Sequence, residues 1–284
     1  TNRISYHRIN KEKLIFIILN NRYQQKMKIT ISEPHKVAHF TAIFHNLKQF
    51  SDNMVIYFNS DNFYIQGLDG CHCCLFECKL TSQWFDNYDY DAEKDQPYIG
   101  VNLALLHKII GTRHTDQTIE LMVEKDSDNL DINFVGSAEN NLDRFFEISL
   151  IDIQCDLMEL PPPDTLVDLT MNTSKFQELI SQMLMFNNEV LFAFGEDKIK
   201  LNASGNDGSM RTEIKFDDVQ EYAIAEGTEL TQTYSLKYIN MMCNFHKLNS
   251  EICMGFSESM PMYVKYNLDD DSYVSFYLAP KIEN

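Results

Sequence analysis

The densest concentration of reactive side chains is the segment GCHCCLFECKL (70–80), where four of the seven cysteines and one histidine fall between Cys71 and Cys78. Thiolates and an imidazole are ligand types for zinc, and clustered thiols also serve redox chemistry. A tetrahedral site needs ligands converging from two chain segments. Cys155, Cys243 and Cys253 each stand without a second ligand beside them. Read as a strand, the segment sends Cys71, Cys73 and Leu75 to one face and His72, Cys74 and Phe76 to the other. One strand does not wrap both sets around one ion, and cysteine packs as a small hydrophobe. A structural strand is the expectation, with no metal ligand set and no cofactor assigned.

Other groupings carry less chemistry. Asp269–Asp271 suggests a two-metal carboxylate site, but it lies between the alternating runs MYVKYNL and YVSFYLA and reads as a solvated hairpin turn. GLDG (67–70) and SGNDGS (204–209) lack the Lys-Ser/Thr and the spacing of a phosphate-cradling loop. No Ser/His/Asp or Cys/His arrangement is visible as a motif. No catalytic residue is assigned, and an enzyme is not expected.

The elements that must position these residues repeat. FTAIFHNLKQFSDNMVIYFNSDNFYIQGLDG (40–70) lies over FQELISQMLMFNNEVLFAFGEDKIKLNASGN (176–206) at a constant offset of 136. Phe40 meets Phe176, Phe50 meets Phe186, Phe58 meets Phe194, and Ile65 meets Leu201. A second block, VNLALLHKII (101–110) over YSLKYINMMC (234–243), matches at offset 133 and continues with Ile119, Leu121 and Val123 over Ile252, Met254 and Phe256. Each copy reads as helix, alternating strands, helix, strands. An α+β chain of two equivalent domains, 27–150 and 166–284, is expected, joined by IDIQCDLMELPPPDT (151–165), whose three prolines force extended backbone. Residues 1–26 hold six bases against the single acid Glu12 and read as a basic extension, either flexible or an artefact of an upstream start.

Composition bounds the class. At 284 residues, 44% hydrophobic and 12% aromatic, the chain builds a real core. The longest apolar run, 14–19, is too short to span a bilayer, so no membrane partner is expected. An odd number of cysteines without a signal peptide reads as reduced thiols in an intracellular protein.

The net charge of −18 argues against nucleic acid only if it is spread evenly. It is not. The four expected helices, 35–50, 101–114, 173–187 and 234–247, contain seven bases: Lys36, Lys48, Lys108, Arg113, Lys175, Lys237 and Lys247. They contain one acid, Glu178, of the chain's 42, and six of its eight histidines. Burial alone would remove lysines as well as acids. The pattern reads as an electropositive helical surface on an acidic body, suited to sequence-independent contact with a nucleic-acid backbone.

These residues carry a resemblance. YLAPKIE (277–283), IGVNLALLHKI (99–109), KLNASG (200–205) and SLKYINMM (235–242) are similar, in order, to stretches of the eukaryotic-type DNA sliding clamps, the proliferating cell nuclear antigen family. The resemblance covers the chain from Met27 to Asn284. It implies a two-domain clamp fold closing into a homotrimeric ring, helices lining the channel and sheets outside. It implies a processivity factor of DNA replication and repair, loaded onto DNA by a clamp loader. Docking peptides of polymerases, ligases and nucleases would enter a hydrophobic pocket under the connector. Location would be nuclear, or a cytoplasmic replication factory if the source is viral, as the abundant Asn, Ile, Lys, Phe and Tyr suggest.

Carried across by motif, the peptide pocket comprises Leu68, His72 and Leu75 on a strand, Met158 and Leu160 of the connector, Pro261, and Tyr277, Leu278, Ala279 and Pro280. His72 would bond either a partner's backbone or the connector. The subunit interface would use Ile109 and Phe146 against Met183 and Phe186. One departure stands out: Glu178, Ser181 and Met185 occupy positions where the family carries bases, which predicts a weak grip on DNA. Two other classes remain: a clamp-fold peptide-binding module that does not encircle DNA, and a metal-dependent enzyme built on the cysteine cluster.

Overall fold

The computed structural model describes residues 25–90, 98–124, 127–136, 142–153 and 156–282. Residues 1–24 of the expected extension lie outside the described residues. Gln25 and Lys26 are not extension, because they open the first strand.

The first half of the chain runs β1 (Gln25–Ile31), α1 (Pro34–Leu47), β2 (Asn53–Phe58), β3 (Asn62–Leu68), β4 (Cys74–Thr81), β5 (Asn87–Tyr90), β6 (Tyr98–Asn102), α2 (Leu103–Gly111), β7 (Gln117–Glu124), β8 (Asn129–Gly136) and β9 (Arg144–Ser149). The second half repeats that order: β10 (Val167–Asn172), α3 (Thr173–Met183), β11 (Glu189–Gly195), β12 (Lys198–Gly205), β13 (Gly208–Ile214), β14 (Val219–Ile224), β15 (Leu230–Ser235), α4 (Leu236–Cys243), β16 (Glu251–Phe256), β17 (Met262–Asn267) and β18 (Tyr273–Leu278). The described residues 151–153 and 156–165 of the connector belong to no helix or strand.

Each half makes a five-stranded and a four-stranded antiparallel sheet. The first half supplies β5-β1-β7-β8-β9 and β6-β2-β3-β4; the second supplies β14-β10-β16-β17-β18 and β15-β11-β12-β13. β18 pairs antiparallel with β4, fusing two of these into one nine-stranded sheet. The equivalents of these joined strands are β9 and β13, and each ends its sheet with its outer edge unpaired among the described residues.

The helices sit where helical spacing puts them, but each is shorter than expected. Tyr234–Ser235 and Val101–Asn102 are taken by strand pairing, and the last turns tighten, as where the Phe50 amide bonds the Leu47 carbonyl. Asn102 and Asn172 cap α2 and α3 by accepting from the amides of Leu105 and Lys175. α1 has no side-chain cap and starts on Pro34, whose missing N–H costs nothing there. Val37, Phe40, Phe44 and Leu47 form its buried stripe, and Phe176, Ile180 and Met183 form that of α3. α1 packs beside α2 and α3 beside α4. The Asn46 amide donates to the Asn244 carbonyl, tying α1 to the turn after α4, so the helices form one row in the order α2-α1-α4-α3.

Candidate functional site

The cysteine cluster is a turn leading into a strand. Residues 69–73 connect β3 to β4, and His72 has a left-handed φ of 58°. The expected alternation from Cys71 therefore fails: Cys71, His72 and Cys73 are all exposed, and pairing begins at Cys74. Asp69 organises this turn. Its buried carboxylate accepts from the amides of Cys71, Cys73 and Cys74 at 2.8, 2.7 and 2.7 Å, and from the Tyr238 hydroxyl at 2.5 Å. Burial opposes its charge, yet the Tyr238 hydroxyl and these amides hold the carboxyl below its ordinary value. Burial drives the Cys74 and Cys78 thiols well above theirs, so they stay protonated and inert. No group of three metal-ligating side chains forms among the described residues.

Above this turn lies the outer face of the nine-stranded sheet. Leu68 faces Leu75 across β3 and β4, Leu75 faces Tyr277, and Tyr277 faces Tyr263, with the two tyrosine rings 5.1 Å apart. The Ala279 amide bonds the Cys73 carbonyl, which lays the chain end against the exposed turn carrying His72. Leu278 departs from expectation: β18 alternation turns it inward, 1% exposed, so it supports the face without presenting surface. The connector crosses here. The Met158 amide donates to the Gln66 side-chain carbonyl at 2.7 Å, and the Gln66 amide group returns a bond to the Met158 carbonyl at 3.0 Å. Met158 itself stays 41% exposed, and Leu160 is half-buried. Pro261, at the start of β17, is also half-buried.

Sequence reasoning missed the group beneath Gln66. Glu77 is 6% exposed, and its carboxylate accepts from Tyr64 at 2.8 Å, Ser275 at 2.7 Å and Tyr277 at 3.4 Å. The Gln66 amide also reaches the Tyr64 hydroxyl at 3.1 Å. One hydrogen-bonded chain thus links connector, sheet and Tyr277. A signal was present in the alternation of polar residues through FECKL and YVSFYL, which places Glu77 and Ser275 on the same outer face.

On the opposite side, the row of helices carries the expected bases, but only some are available. Lys36 is 8% exposed and bonded to Asp270 at 3.3 Å and Glu33 at 3.5 Å. Burial alone would lower its pKa, but Asp270 and Glu33 overcome this and raise it. This corrects the expectation that Lys36 faces DNA: it is a latch between α1 and the β17–β18 turn, where Asp270 and Asp271 adopt left-handed φ. Lys48 pairs with Asp52 at 2.8 Å and Lys175 with Asp218 at 3.1 Å. The Arg113 guanidinium folds back on the carbonyls of His114 and Gln117, and burial lowers its pKa. Lys108, Lys237 and Lys247 are exposed and make no ion pair among the described residues. Arg113 and Lys247 border a depression of about 590 Å³ with His45, His246, Gln49 and Asn244, between the ends of α1 and α4, whose lining also includes Ala38 and Ala42.

The two open strand edges hold the remaining expected residues. Phe146 on β9 is half-buried against Phe134, their rings 5.4 Å apart. Phe186 packs on the β12–β13 hairpin, where a Cβ at Gly205 would meet its carbonyl oxygen at 2.1 Å. Ile109 and Met183 face their own domain cores, nearly or fully buried, and offer a neighbour no surface. They sit on the core stripe of their helices rather than its flank. Phe145, Leu142 and Met185, which sequence reasoning did not assign to an interface, are exposed instead.

A doubled α+β unit, cationic helices on one side and a strapped sheet on the other, defines the sliding-clamp class. The family models described as proliferating cell nuclear antigen, N-terminal domain and C-terminal domain match residues 34–158 and 163–281. The proliferating cell nuclear antigen of Chaetomium thermophilum is 25% identical over 229 residues, covering 79% of this chain and 87% of that protein. The chain belongs to the proliferating cell nuclear antigen family, the DNA sliding clamps that act as processivity factors.

Proposed function

We propose that the chain is the subunit of a closed homotrimeric ring that encircles duplex DNA and tethers replication and repair enzymes through the groove under the connector. The observation that carries the ring is the pair of open edges. β18 joins β4 within the chain, and their repeat equivalents β9 and β13 each end a different sheet with one edge unpaired among the described residues. Unpaired strands seek partners, and a head-to-tail contact repeated by a closing rotation makes a ring. Three copies give six quasi-equivalent junctions, three within chains and three between. The row of helices would face the channel, with Lys108, Lys237 and Lys247 toward phosphates. No described helix is long and apolar enough to cross a membrane. The ring would work in the nucleus, or in a cytoplasmic replication factory.

The docking groove would be floored by Leu68, Leu75, Tyr277, Ala279 and Pro280 and walled by Met158, Leu160 and Pro261, with His72 at its exposed end. Aliphatic and aromatic anchors of a helical turn suit such a surface, and a thioether at Met158 lets it adapt. Tethering then acts by raising the local concentration of bound enzymes on DNA. Light scattering at micromolar concentration is expected to give about three times the 33.1 kDa chain mass; a value near one chain would sink the ring. A polymerase-type clamp-interacting peptide should bind the wild type, and Leu160→Ala should weaken it about tenfold.

A further inference from the structure

The outer faces of the two halves are built alike but covered differently. In the first half the connector leaves β9, and the Ile151 amide bonds the Gly100 carbonyl of β6 at 2.9 Å. It then crosses the sheet to the Gln66 side chain on β3. In the second half the chain leaves β18, and the Lys281 amide bonds the Thr233 carbonyl of β15 at 2.8 Å. Thr233 matches Gly100 at the repeat offset of 133. The start of the crossing is therefore the same in both halves.

The far end of the crossing differs. Asn202 matches Gln66 at the offset of 136, and Arg211 pairs with Asn202 as Glu77 pairs with Gln66. Gln66 is 5% exposed, and its amide group bonds both the N–H and the carbonyl of Met158. The Asn202 side-chain oxygen is also buried, but it receives no hydrogen bond among the described residues. A buried acceptor without a donor carries a cost that an incoming N–H removes. Asn202 lines a depression of about 430 Å³ together with Leu191, Ala193, Lys200, Arg211 and Glu213. Its depth has a cause in the sequence. Ala193 stands where the first half has Tyr57, whose ring lies 6.5 Å from that of Tyr64. Lys200 pairs with Glu213 at 3.2 Å, and Arg211 is exposed without an ion pair among the described residues. The lining thus holds an excess of positive charge on a chain of net −18.

We propose that this depression is a second docking seat, taking an extended acidic and aliphatic segment of a partner protein laid across β11–β13 as the connector is laid across the first half. A backbone N–H of the segment donates to Asn202, whose amide group turns toward it as that of Gln66 turns toward Met158. An aliphatic side chain fills the space above Ala193, and a carboxylate meets Arg211. The connector supplies the template for this chemistry: DIQCDLMELP (152–161) mixes aliphatic residues with three acids and no base. The seat lies within one chain and apart from the groove under the connector, so it requires neither the ring nor that groove.

The probe is a fluorescein-labelled peptide of residues 152–161 carrying Cys155→Ser, added to the full chain and followed by anisotropy. It is expected to bind the wild type. Ala193→Tyr, which restores the ring present in the first half, and Arg211→Glu should each raise its dissociation constant about tenfold. Leu160→Ala in the chain should leave it unchanged. No binding at about 1 mM peptide, or binding that Ala193→Tyr does not weaken, overturns the seat. Location is read on the wild type alone, with a benzophenone side chain in place of that of Leu157 in the peptide. Light-induced labelling is expected on β11–β13; labelling of β3–β4 instead means that the peptide has only displaced the connector, and overturns the proposal.

Discussion

Asp69 receives four hydrogen bonds from three amides and one hydroxyl, and through Tyr238 it ties the β3–β4 turn to α4 in the other half of the chain. An amide side chain there would present donors to donors. Asp69→Asn is expected to cost about 2–3 kcal/mol at neutral pH by urea unfolding. Its carboxyl is held below the ordinary value. The stabilisation is therefore present above the unfolded pKa, about 3.9, and lost as pH falls through the folded one. The gap between wild type and Asp69→Asn should close below about pH 4, and a gap unchanged down to pH 3 would contradict this role. The cysteines drew notice in the sequence because of their type, while Asp69 looked like an ordinary turn residue. What singles it out is convergence of amides, a property of the backbone conformation.

Among the elements, the connector depends on close approach at its start. The Ile151 amide bonds the Gly100 carbonyl at 2.9 Å, and a Cβ at Gly100 would lie 2.2 Å from the Ile151 carbonyl oxygen. Gly100→Ala must push the connector off the β6 edge. About 1–3 kcal/mol of stability should be lost, with faster amide exchange at Ile151 and weaker peptide binding; unchanged exchange would show that the connector is held elsewhere. The helices and strands themselves were legible, because apolar spacing of 3.6 and 2 survives in each repeat. Their ends were less so. Strand pairing claimed the first residues of α2 and α4, and Cys71–Cys73 left the strand for the turn that Asp69 organises.

For the whole molecule, the balance of charge governs how DNA would be held. On the helical side, the described residues leave Lys108, Lys237 and Lys247 exposed and outside any ion pair, which is few for a duplex. Direct binding to linear DNA should be weak, with a log–log salt slope of about −3, whereas rings loaded on circular DNA should stay bound across the same salt range. A slope near −6 would mean that Lys36, Lys48, Arg113 and Lys175 also reach phosphate. The repeat, the α+β class, the clearing of acids from the helices and the family were all determined by the sequence by itself, since each is a local pattern of residue type and spacing. Which lysines are free, that Leu278 and Met183 face inward, that Glu77 collects hydroxyls, and that β9 and β13 end unpaired were decided only by the tertiary structure. The reason is distance along the chain. Lys36 is neutralised by Asp270 and Glu77 is satisfied by Ser275, partners about two hundred residues away that no local pattern brings together.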